Sequence, residues 1–290
     1  MSTTSSGLCF SSLPRHYESV PMLEGFKARD GENLTHRVYD SVKKDRVIIL
    51  LHGSSAHGEY LHPLAERLKN IGQVYVPNLR GHYASGNTRG DCSYIGQLED
   101  DIADLIRHYS LQNKKIYIVG HSSGGGLAIR LAGGCYGKWI RGFVLLSPAI
   151  PTAPTMRQGT AGGWAKISLW KIICLSVLNA LGIRFLNHMK VIQFNRPAEY
   201  CDGTEILSYS FNLNSSYHPR LPYKKDISAL KHRSLVIVGA EDEANDPSQY
   251  PNVMQDPQSA SIQTVLGVKH LDIVQNLTVS NAVIHWIETN

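Results

Sequence analysis

Cysteine is scarce in this chain, and its few copies form no pattern that would bind a metal or build a disulfide framework. The five residues are Cys9, Cys92, Cys135, Cys174 and Cys201, an odd number with no pair spaced C-x-x-C. Zinc sites and disulfide frameworks are normally recognised by such pairs or by an even count. The sequence therefore predicts free thiols in a reducing compartment, and hence a cytoplasmic protein.

The chain also lacks an uninterrupted apolar run of the length that a bilayer requires. Its most apolar stretch, residues 167–186, contains Lys171, Asn179, Gly182 and Arg184. A spanning helix tolerates such residues poorly near its centre, so no transmembrane segment is expected. The first fifteen residues are rich in serine and threonine and have neither the basic nor the apolar region of a signal peptide. We interpret residues 1–20 as a flexible leader.

A strong excess of charge of one sign is missing as well. The chain has 29 Lys and Arg residues against 24 Asp and Glu residues, which gives a scattered net charge of +5. Nucleic-acid binding requires a basic patch or stripe, so no nucleic-acid partner is expected. The mild excess allows at most a weak contact with an anionic membrane surface.

Short apolar runs alternate with helical patterns along most of the chain. An Asp30-Gly31 turn predicts an opening antiparallel hairpin. The later apolar runs have the valine, isoleucine and leucine content of strands buried on both faces; they occupy residues 46–51, 73–77, 115–119, 141–146, 234–238 and 261–266. Helical patterns cover residues 61–71, 94–109, 124–135 and 280–289. This alternation predicts an α/β fold with a mostly parallel central sheet flanked by helices.

The alternation is interrupted between two of the predicted strands. Residues 148–230 open with several prolines and glycines, continue with an apolar helical run, and contain no convincing strand. We therefore predict an inserted helical cap, or lid, over residues 148–230. The core is then built from residues 21–147 and 231–290.

The strongest local motif is the G-x-S-x-G sequence from Gly120 to Gly124, which lies between a predicted strand and a predicted helix. In that context the glycines permit a tight turn that exposes the hydroxyl of Ser122 above the sheet edge. The turn also directs the backbone N–H of Ser123 towards the place where an oxyanion would form. We therefore predict that Ser122 is a nucleophile and that Ser123 supplies one oxyanion-hole N–H.

A second glycine-containing loop follows the strand at residues 46–51. It has the sequence His52-Gly53-Ser54, and its glycine allows the backbone to approach a substrate carbonyl. The N–H of Ser54 is the predicted second member of the oxyanion hole. His52 is interpreted as a structural histidine that braces this loop.

A serine nucleophile also needs a base and an acid that orients the base. In chain order they are expected after the serine, on loops that follow late strands. His270 follows the run at residues 261–266 and is the predicted base. The acid is expected after the run at residues 234–238, where Asp242 is favoured by its distance from Gly239. Three other carboxylates in that loop remain alternatives: Glu241, Glu243 and Asp246.

These motifs together resemble the serine aminopeptidase and monoacylglycerol lipase-like group of the α/β-hydrolase fold. The resemblance includes Phe26 to Gly31 as F-x-x-x-D-G, His52-Gly53-Ser54 with His57 and Tyr60, Arg80-Gly81-His82 with Asp100-Asp101, Gly239-x-x-Asp242, and His270. It implies the same triad and oxyanion residues. The chain departs from the group at Asn78, where an aspartate is usual, and at Tyr83, where a glycine is usual.

The predicted activity is the hydrolysis of carboxylic esters through an acyl-enzyme. Trp164, Trp170, Leu175 and Phe185 of the cap suggest an apolar acyl pocket and lipid-like monoacyl esters, of the monoacylglycerol or lysophospholipid type. An aminopeptidase or a small-ester hydrolase is an alternative, and a non-catalytic small-molecule receptor is one from another class. The sequence contains no motif for a metal, a nucleotide or a flavin, and none is needed for this chemistry.

Overall fold

The computed structural model describes residues 7–14, 16–157, 163–230, 234–255 and 260–290 of the 290-residue chain. The described strands are β1 (Glu24–Lys27), β2 (Asn33–Tyr39), β3 (Arg46–Leu51), β4 (Gln73–Pro77), β5 (Lys115–His121), β6 (Ile140–Leu146), β7 (Ala165–Ile167), β8 (Lys190–Phe194), β9 (Ser208–Ser210), β10 (Ser234–Gly239) and β11 (Ser261–Val265). The described α-helices are α1 (His62–Leu68), α2 (Gln97–His108), α3 (Ser123–Gly133), α4 (Leu169–Ala180), α5 (Phe211–Ser216), α6 (Tyr223–Ser228), α7 (Tyr250–Val253) and α8 (Leu277–Thr289). No helix within these ranges is long and apolar enough to cross a bilayer.

One sheet of eight described strands forms the centre of the molecule, in the order β1-β2-β4-β3-β5-β6-β10-β11. The strands from β4 to β11 in this order are parallel, whereas β2 pairs antiparallel with both β1 and β4. Alternate residues of β3 pack into two separate apolar clusters, one containing α2 and α3 and the other α1 and α8. The predicted α/β fold, with helices on both sides of a mostly parallel sheet, is confirmed.

The register of the parallel strands brings their carboxyl ends to one edge of the sheet. Leu51 of β3 pairs with Gly120 of β5, and His121 of β5 pairs with Leu146 of β6. Leu146 of β6 pairs in turn with Ile237 of β10, two residues before Gly239 at the end of that strand. Loops that follow β3, β5, β10 and β11 therefore meet above this edge, where ligands bind in open parallel sheets.

The last strand, β11, differs from its prediction. The sequence suggests a strand buried on both faces, yet most of its side chains are exposed or half-buried. The reason is its position, since β11 is the edge strand and pairs only with β10 among the described strands. Apolar content alone does not distinguish such an edge strand from a central one.

The inserted region contains strands as well as helices. Strands β7, β8 and β9 form a small antiparallel sheet beside α4 and α5. The sequence predicts helices only, and each of these strands has no more than five residues. Segments this short show no clear alternation of polar and apolar residues. The limits of the cap at residues 148 and 230 stay a prediction.

The leader also differs from the flexible segment that its composition suggests. Phe10 is only 6% exposed, and its ring lies 5.8 Å from that of Trp164 and 5.5 Å from that of Tyr200. The N–H of Cys9 donates to Glu243 Oε1 at 3.2 Å. Residues 7–14 therefore pack on the cap and the acid loop, because their few apolar side chains find apolar partners there. Residues 1–6 lie outside the described residues.

Candidate active site

Ser122 occupies the turn between β5 and α3 in a strained backbone conformation. Its φ is 54° and its ψ is −120°, a positive φ that costs energy for any residue with a Cβ atom. A Cβ on Gly120 would overlap the carbonyl of Gly124, and a Cβ on Gly124 would overlap the carbonyl of Leu51. The two glycines are thus required by backbone contacts, as the motif predicts.

The structure brings Ser122 together with His270 and Asp242. His270 Nε2 lies 3.0 Å from Ser122 Oγ, and His270 Nδ1 lies 2.9 Å from Asp242 Oδ2. Because a carboxylate only accepts hydrogen bonds, Nδ1 carries the proton and Nε2 is free to accept from the serine hydroxyl. This arrangement can transfer the Ser122 proton to His270.

Burial and charge act in opposite directions on the acid and the base. Burial favours the neutral forms of both, but each stabilises the charged form of the other. The His270 charge and hydrogen bond, with a further hydrogen bond from the N–H of Asn245, outweigh burial and lower the pKa of Asp242 to about 2. The Asp242 charge outweighs burial and raises the pKa of His270 above its ordinary value of 6.5. Asp242 is therefore an anion at neutral pH, and His270 is a strengthened base.

The acid loop separates Asp242 from its three alternatives. Asp242 Oδ1 accepts the N–H groups of Ala244 and Asn245 at 2.9 and 2.8 Å, which fixes the carboxylate towards His270. Glu241 is exposed, and Asp246 caps the short turn at Pro247–Gln249.

Glu243, the third alternative, lies near the site but contacts the histidine backbone. Its Oε2 accepts the N–H of His270 at 2.9 Å, while its Oε1 accepts the N–H of Cys9. Within this loop, the carboxylate in contact with the imidazole is therefore that of Asp242.

The two predicted oxyanion residues lie beside each other. Ser54 Oγ and Ser123 Oγ are 2.6 Å apart, which joins the loop after β3 to the start of α3. In the part of the chain that the structure describes, the backbone N–H groups of Ser54 and Ser123 have no hydrogen-bond partner. Both are thus available to a substrate oxygen.

Tyr60, which the family resemblance includes without a role, and His121, which the sequence analysis did not single out, connect these loops. The N–H of Gly53 donates to the Tyr60 hydroxyl at 2.7 Å, and this hydroxyl lies 2.7 Å from His121 Nδ1. His121 Nε2 lies 3.0 Å from the carbonyl oxygen of His270 and must donate to it. Burial lowers the pKa of His121 to about 3, which keeps it neutral. Its place inside the G-x-S-x-G motif was the available signal, whereas nothing in the sequence linked it to Tyr60.

His52 has the bracing role that the sequence predicts. It is fully buried, its Nε2 accepts the N–H of Leu79 at 3.0 Å, and its Nδ1 lies 2.9 Å from the carbonyl of Gly53. The two departures from the family pattern also find local partners. Asn78 is buried between Thr35 and Gly58, and Tyr83 has a φ of 44° and stacks on His57. The positive φ at Tyr83 explains why a glycine is usual there.

A small cavity of about 70 Å³ opens beside Ser122 and His270. The leader supplies Leu8, Phe10 and Leu13 to its wall, and the cap supplies Trp164 and Arg196. The prediction that Trp170, Leu175 and Phe185 line the pocket is wrong. Trp170 and Phe185 are 64% and 76% exposed, and Leu175 packs against Val191 and Phe211. The helical run of the cap thus faces solvent and its own sheet.

The chain is similar to known proteins in its sequence and in its fold. The family model described as "Serine aminopeptidase, S33" matches residues 42–270. A proline iminopeptidase from Saccharolobus solfataricus is 30% identical over 142 residues, which are 48% of this chain and 45% of that protein. The monoglyceride lipase of Homo sapiens is 24% identical over 174 residues, which are 58% of this chain and 52% of that protein.

These sequence matches span about half the length of the two relatives, whereas structural similarity extends over nearly the whole chain. A crystal structure of a soluble variant of monoglyceride lipase from Saccharomyces cerevisiae superposes with a TM-score of 0.68 at 17% identity, covering 95% of this chain and 98% of that one. At that identity the likeness establishes the α/β-hydrolase fold. Since the family model covers well over half of the sequence, the chain belongs to the serine aminopeptidase S33 family of α/β hydrolases.

Proposed function

We propose that this hydrolase cleaves carboxylic esters through an acyl-enzyme on Ser122. The observation that carries the proposal is the continuous chain of hydrogen bonds from Ser122 Oγ through His270 to Asp242. A free serine hydroxyl is a poor nucleophile at neutral pH, and these hydrogen bonds are the means by which the Ser122 hydroxyl would be activated. A purely non-catalytic receptor has no need of all three groups.

The proposed reaction has two steps that use the same groups. His270 Nε2 takes the Ser122 proton while Oγ attacks the ester carbonyl carbon, and the resulting oxyanion accepts the N–H groups of Ser54 and Ser123. The carbon–oxygen bond to the alcohol then breaks, and His270 returns the proton to that alcohol. In the second step water attacks the acyl-enzyme with His270 again as base, which releases the acid and restores Ser122.

The aminopeptidase alternative receives less support from the cavity. An enzyme that binds a free amino terminus needs a carboxylate near the nucleophile, and among the described residues that line the cavity there is no aspartate or glutamate. The cap carboxylates Asp202 and Glu205 bind N–H groups of their own turn, at residues 202–204. We therefore favour ester hydrolysis over peptide hydrolysis as the activity of this protein.

The apolar wall of the cavity supports lipid-like monoacyl esters, of the monoacylglycerol or lysophospholipid type, as substrates. Each buried methylene contributes about 0.8 kcal/mol, so six further methylenes give a ceiling of roughly three-thousand-fold in kcat/KM. We expect kcat/KM to rise by ten- to a thousand-fold from p-nitrophenyl acetate to the octanoate. Hydrolysis rates for the esters of two, four, six and eight carbons measure this slope.

The leader offers a control for the acyl-chain experiment. Phe10→Ala should flatten the slope while the acetate rate changes little, because Phe10 belongs to the cavity wall. Leu175→Ala removes an apolar side chain of similar burial outside the cavity and should leave the slope intact. A flat or falling profile in the unmodified protein would favour the small-ester alternative.

The exposed side of α4 supports the weak membrane-surface contact. Trp170, Ile173 and Val177 are more than half exposed at helical spacing, followed by Phe185. Basic residues lie nearby at Lys166, Lys171, Arg184 and Lys190. An exposed apolar helix face with basic neighbours is suited to lie on an anionic bilayer.

Vesicle binding should therefore depend on α4. We expect Trp170→Ala combined with Ile173→Ser to lower binding to vesicles containing phosphatidylglycerol by about tenfold, measured by co-sedimentation. Val42→Ser is the control, since Val42 is 97% exposed between β2 and β3, away from the cap. Equal binding of all three proteins would argue against the contact.

The five free cysteines of the structure support a reducing location such as the cytoplasm.

A further inference from the structure

Arg196 is the charged member of the cavity wall. The other described lining residues are apolar, hydroxyl-bearing, glycine or histidine, so Arg196 alone there carries a permanent charge. His57 does not share this charge. Burial, opposed by Glu59 and Asp202 and assisted by Arg37 and Arg196, lowers the pKa of His57 below its ordinary value. The positive charge at this end of the cavity is therefore that of Arg196.

The guanidinium is fixed in place by carbonyl groups and by an aromatic ring, and the nearby Asp202 does not contact it directly. Arg196 Nε donates to the carbonyl of Tyr200 at 2.8 Å, and Nη1 lies 3.4 Å from the carbonyl of Ser55. Its Cζ atom lies 5.2 Å from the centre of the Phe10 ring. Within the described ranges no carboxylate lies within 4.0 Å of Arg196, and Nη2 has no hydrogen-bond partner.

Three other arginines of the fold have the carboxylate partner that Arg196 lacks. Arg80, Arg130 and Arg220 each form an ion pair with aspartate or glutamate. A half-buried guanidinium with three remaining N–H groups is suited to a carboxylate or a phosphate, whose oxygens accept charge-assisted hydrogen bonds. Because Arg196 and Ser122 line the same cavity, one bound molecule can contact both.

We infer that Arg196 binds an anionic group of the substrate, a carboxylate or a phosphate, placed a few bonds from the scissile ester. The inference rests on the proposed function and adds a preference for anionic over neutral esters. It also separates this enzyme from an aminopeptidase, because Arg196 repels a protonated amine. Arg196 is thus a specificity-determining residue that acts on charge.

Two matched pairs of esters test the inference and the source of the anion. Monoethyl succinate is compared with ethyl 4-methylpentanoate, which places the charge on the acyl side. 1-Butyrylglycerol 3-phosphate is compared with 1-butyrylglycerol, which places it on the alcohol side. We expect the unmodified enzyme to have at least a tenfold higher kcat/KM for the anionic member of one pair, and the preferred pair identifies the side.

The variant Arg196→Gln should remove this preference by lowering kcat/KM ten- to a hundred-fold for the anionic ester and less than threefold for its neutral partner. Arg196→Lys should keep part of it. Arg89→Gln is the matched control, because Arg89 also donates to cap carbonyls, those of Gly203 and Glu205, but does not line the cavity.

Three outcomes would contradict the inference. If neither anionic ester is preferred by the unmodified enzyme while the neutral esters are cleaved, the inference fails and the proposed function stands. If Arg196→Gln lowers kcat/KM equally for both members of a pair, the substitution has disturbed the structure of the cap, and Arg196 has a structural role only. If none of the four esters is cleaved, the proposed function fails and the inference fails with it.

Discussion

Replacing Ser122 by alanine is expected to lower ester turnover by roughly 10⁴- to 10⁶-fold, as deletions of a nucleophile do in serine hydrolases. The hydroxyl removed is the atom 3.0 Å from His270 Nε2, and no second hydroxyl lies within hydrogen-bonding distance of that nitrogen in the described residues. The fold should persist, because alanine keeps the Cβ atom and the positive φ that the turn already accommodates.

The Ser122 experiment has a matched control in its neighbour. Ser123→Ala removes only the hydroxyl contact with Ser54 Oγ and retains the backbone N–H, so we expect less than a tenfold loss. A fluorophosphonate probe should label the unmodified protein at Ser122 and leave Ser122→Ala unlabelled, as read by mass spectrometry. Labelling of the alanine variant would mean that another residue is the nucleophile.

The second large effect is expected from Asp242→Asn, at about 10⁴-fold in turnover. An asparagine amide can retain the bonds from Ala244 and Asn245 through its oxygen. It then presents an N–H to His270 Nδ1, which must accept, so the imidazole proton moves to Nε2. In that tautomer His270 cannot take the Ser122 proton.

The same substitution should move the pH profile. His270 acts as a base only when neutral, so kcat/KM falls as pH falls through its pKa. In the unmodified enzyme this pKa is raised above 6.5, chiefly because the Asp242 charge outweighs burial. In Asp242→Asn burial remains and the charge is gone, so the acid limb of the residual activity should shift to lower pH.

A neighbouring carboxylate serves as the control for Asp242. Glu243→Gln keeps an oxygen that can accept the N–H of His270, so it should cost far less activity, and it should move the acid limb less than Asp242→Asn does because the Glu243 charge raises the pKa of His270 less than Asp242 does. A greater loss from Glu243→Gln than from Asp242→Asn would reassign the acid. An unmoved acid limb in Asp242→Asn would mean that the limb does not report His270.

The sequence was sufficient to predict the central sheet and the meeting of Ser122, Asp242 and His270 at its edge, because both depend on local patterns. The apolar run at residues 46–51 coincides with β3. The glycines on either side of Ser122 specify a tight turn in which a side chain at either position would overlap the backbone. Once the strands are parallel, residues following their carboxyl ends must meet at one edge. Ser122, Asp242 and His270 satisfy that condition without any knowledge of packing.

The cavity wall could not be predicted in the same way. Which side of α4 faces inwards depends on its tertiary neighbours, and apolar residues such as Trp170 lie on the solvent side instead. The contact of Phe10 with Trp164 joins residues more than 150 positions apart, and no local sequence pattern predicts it. The same is true of the bond between Tyr60 and His121, which depends on how two loops meet.

The location of the leader residues in the cavity wall separates two functions along the gene. Leu8, Phe10 and Leu13 lie before residues 42–270, the region shared with the family model, whereas Ser122, Asp242 and His270 lie within it. Under the proposed function, the reacting groups and part of the surface that selects their substrate are thus encoded in different stretches of sequence. Substitutions at Leu8 or Phe10 change the cavity wall without altering Ser122, Asp242 or His270, so under the proposed function substrate preference can evolve there separately from the acyl-transfer chemistry.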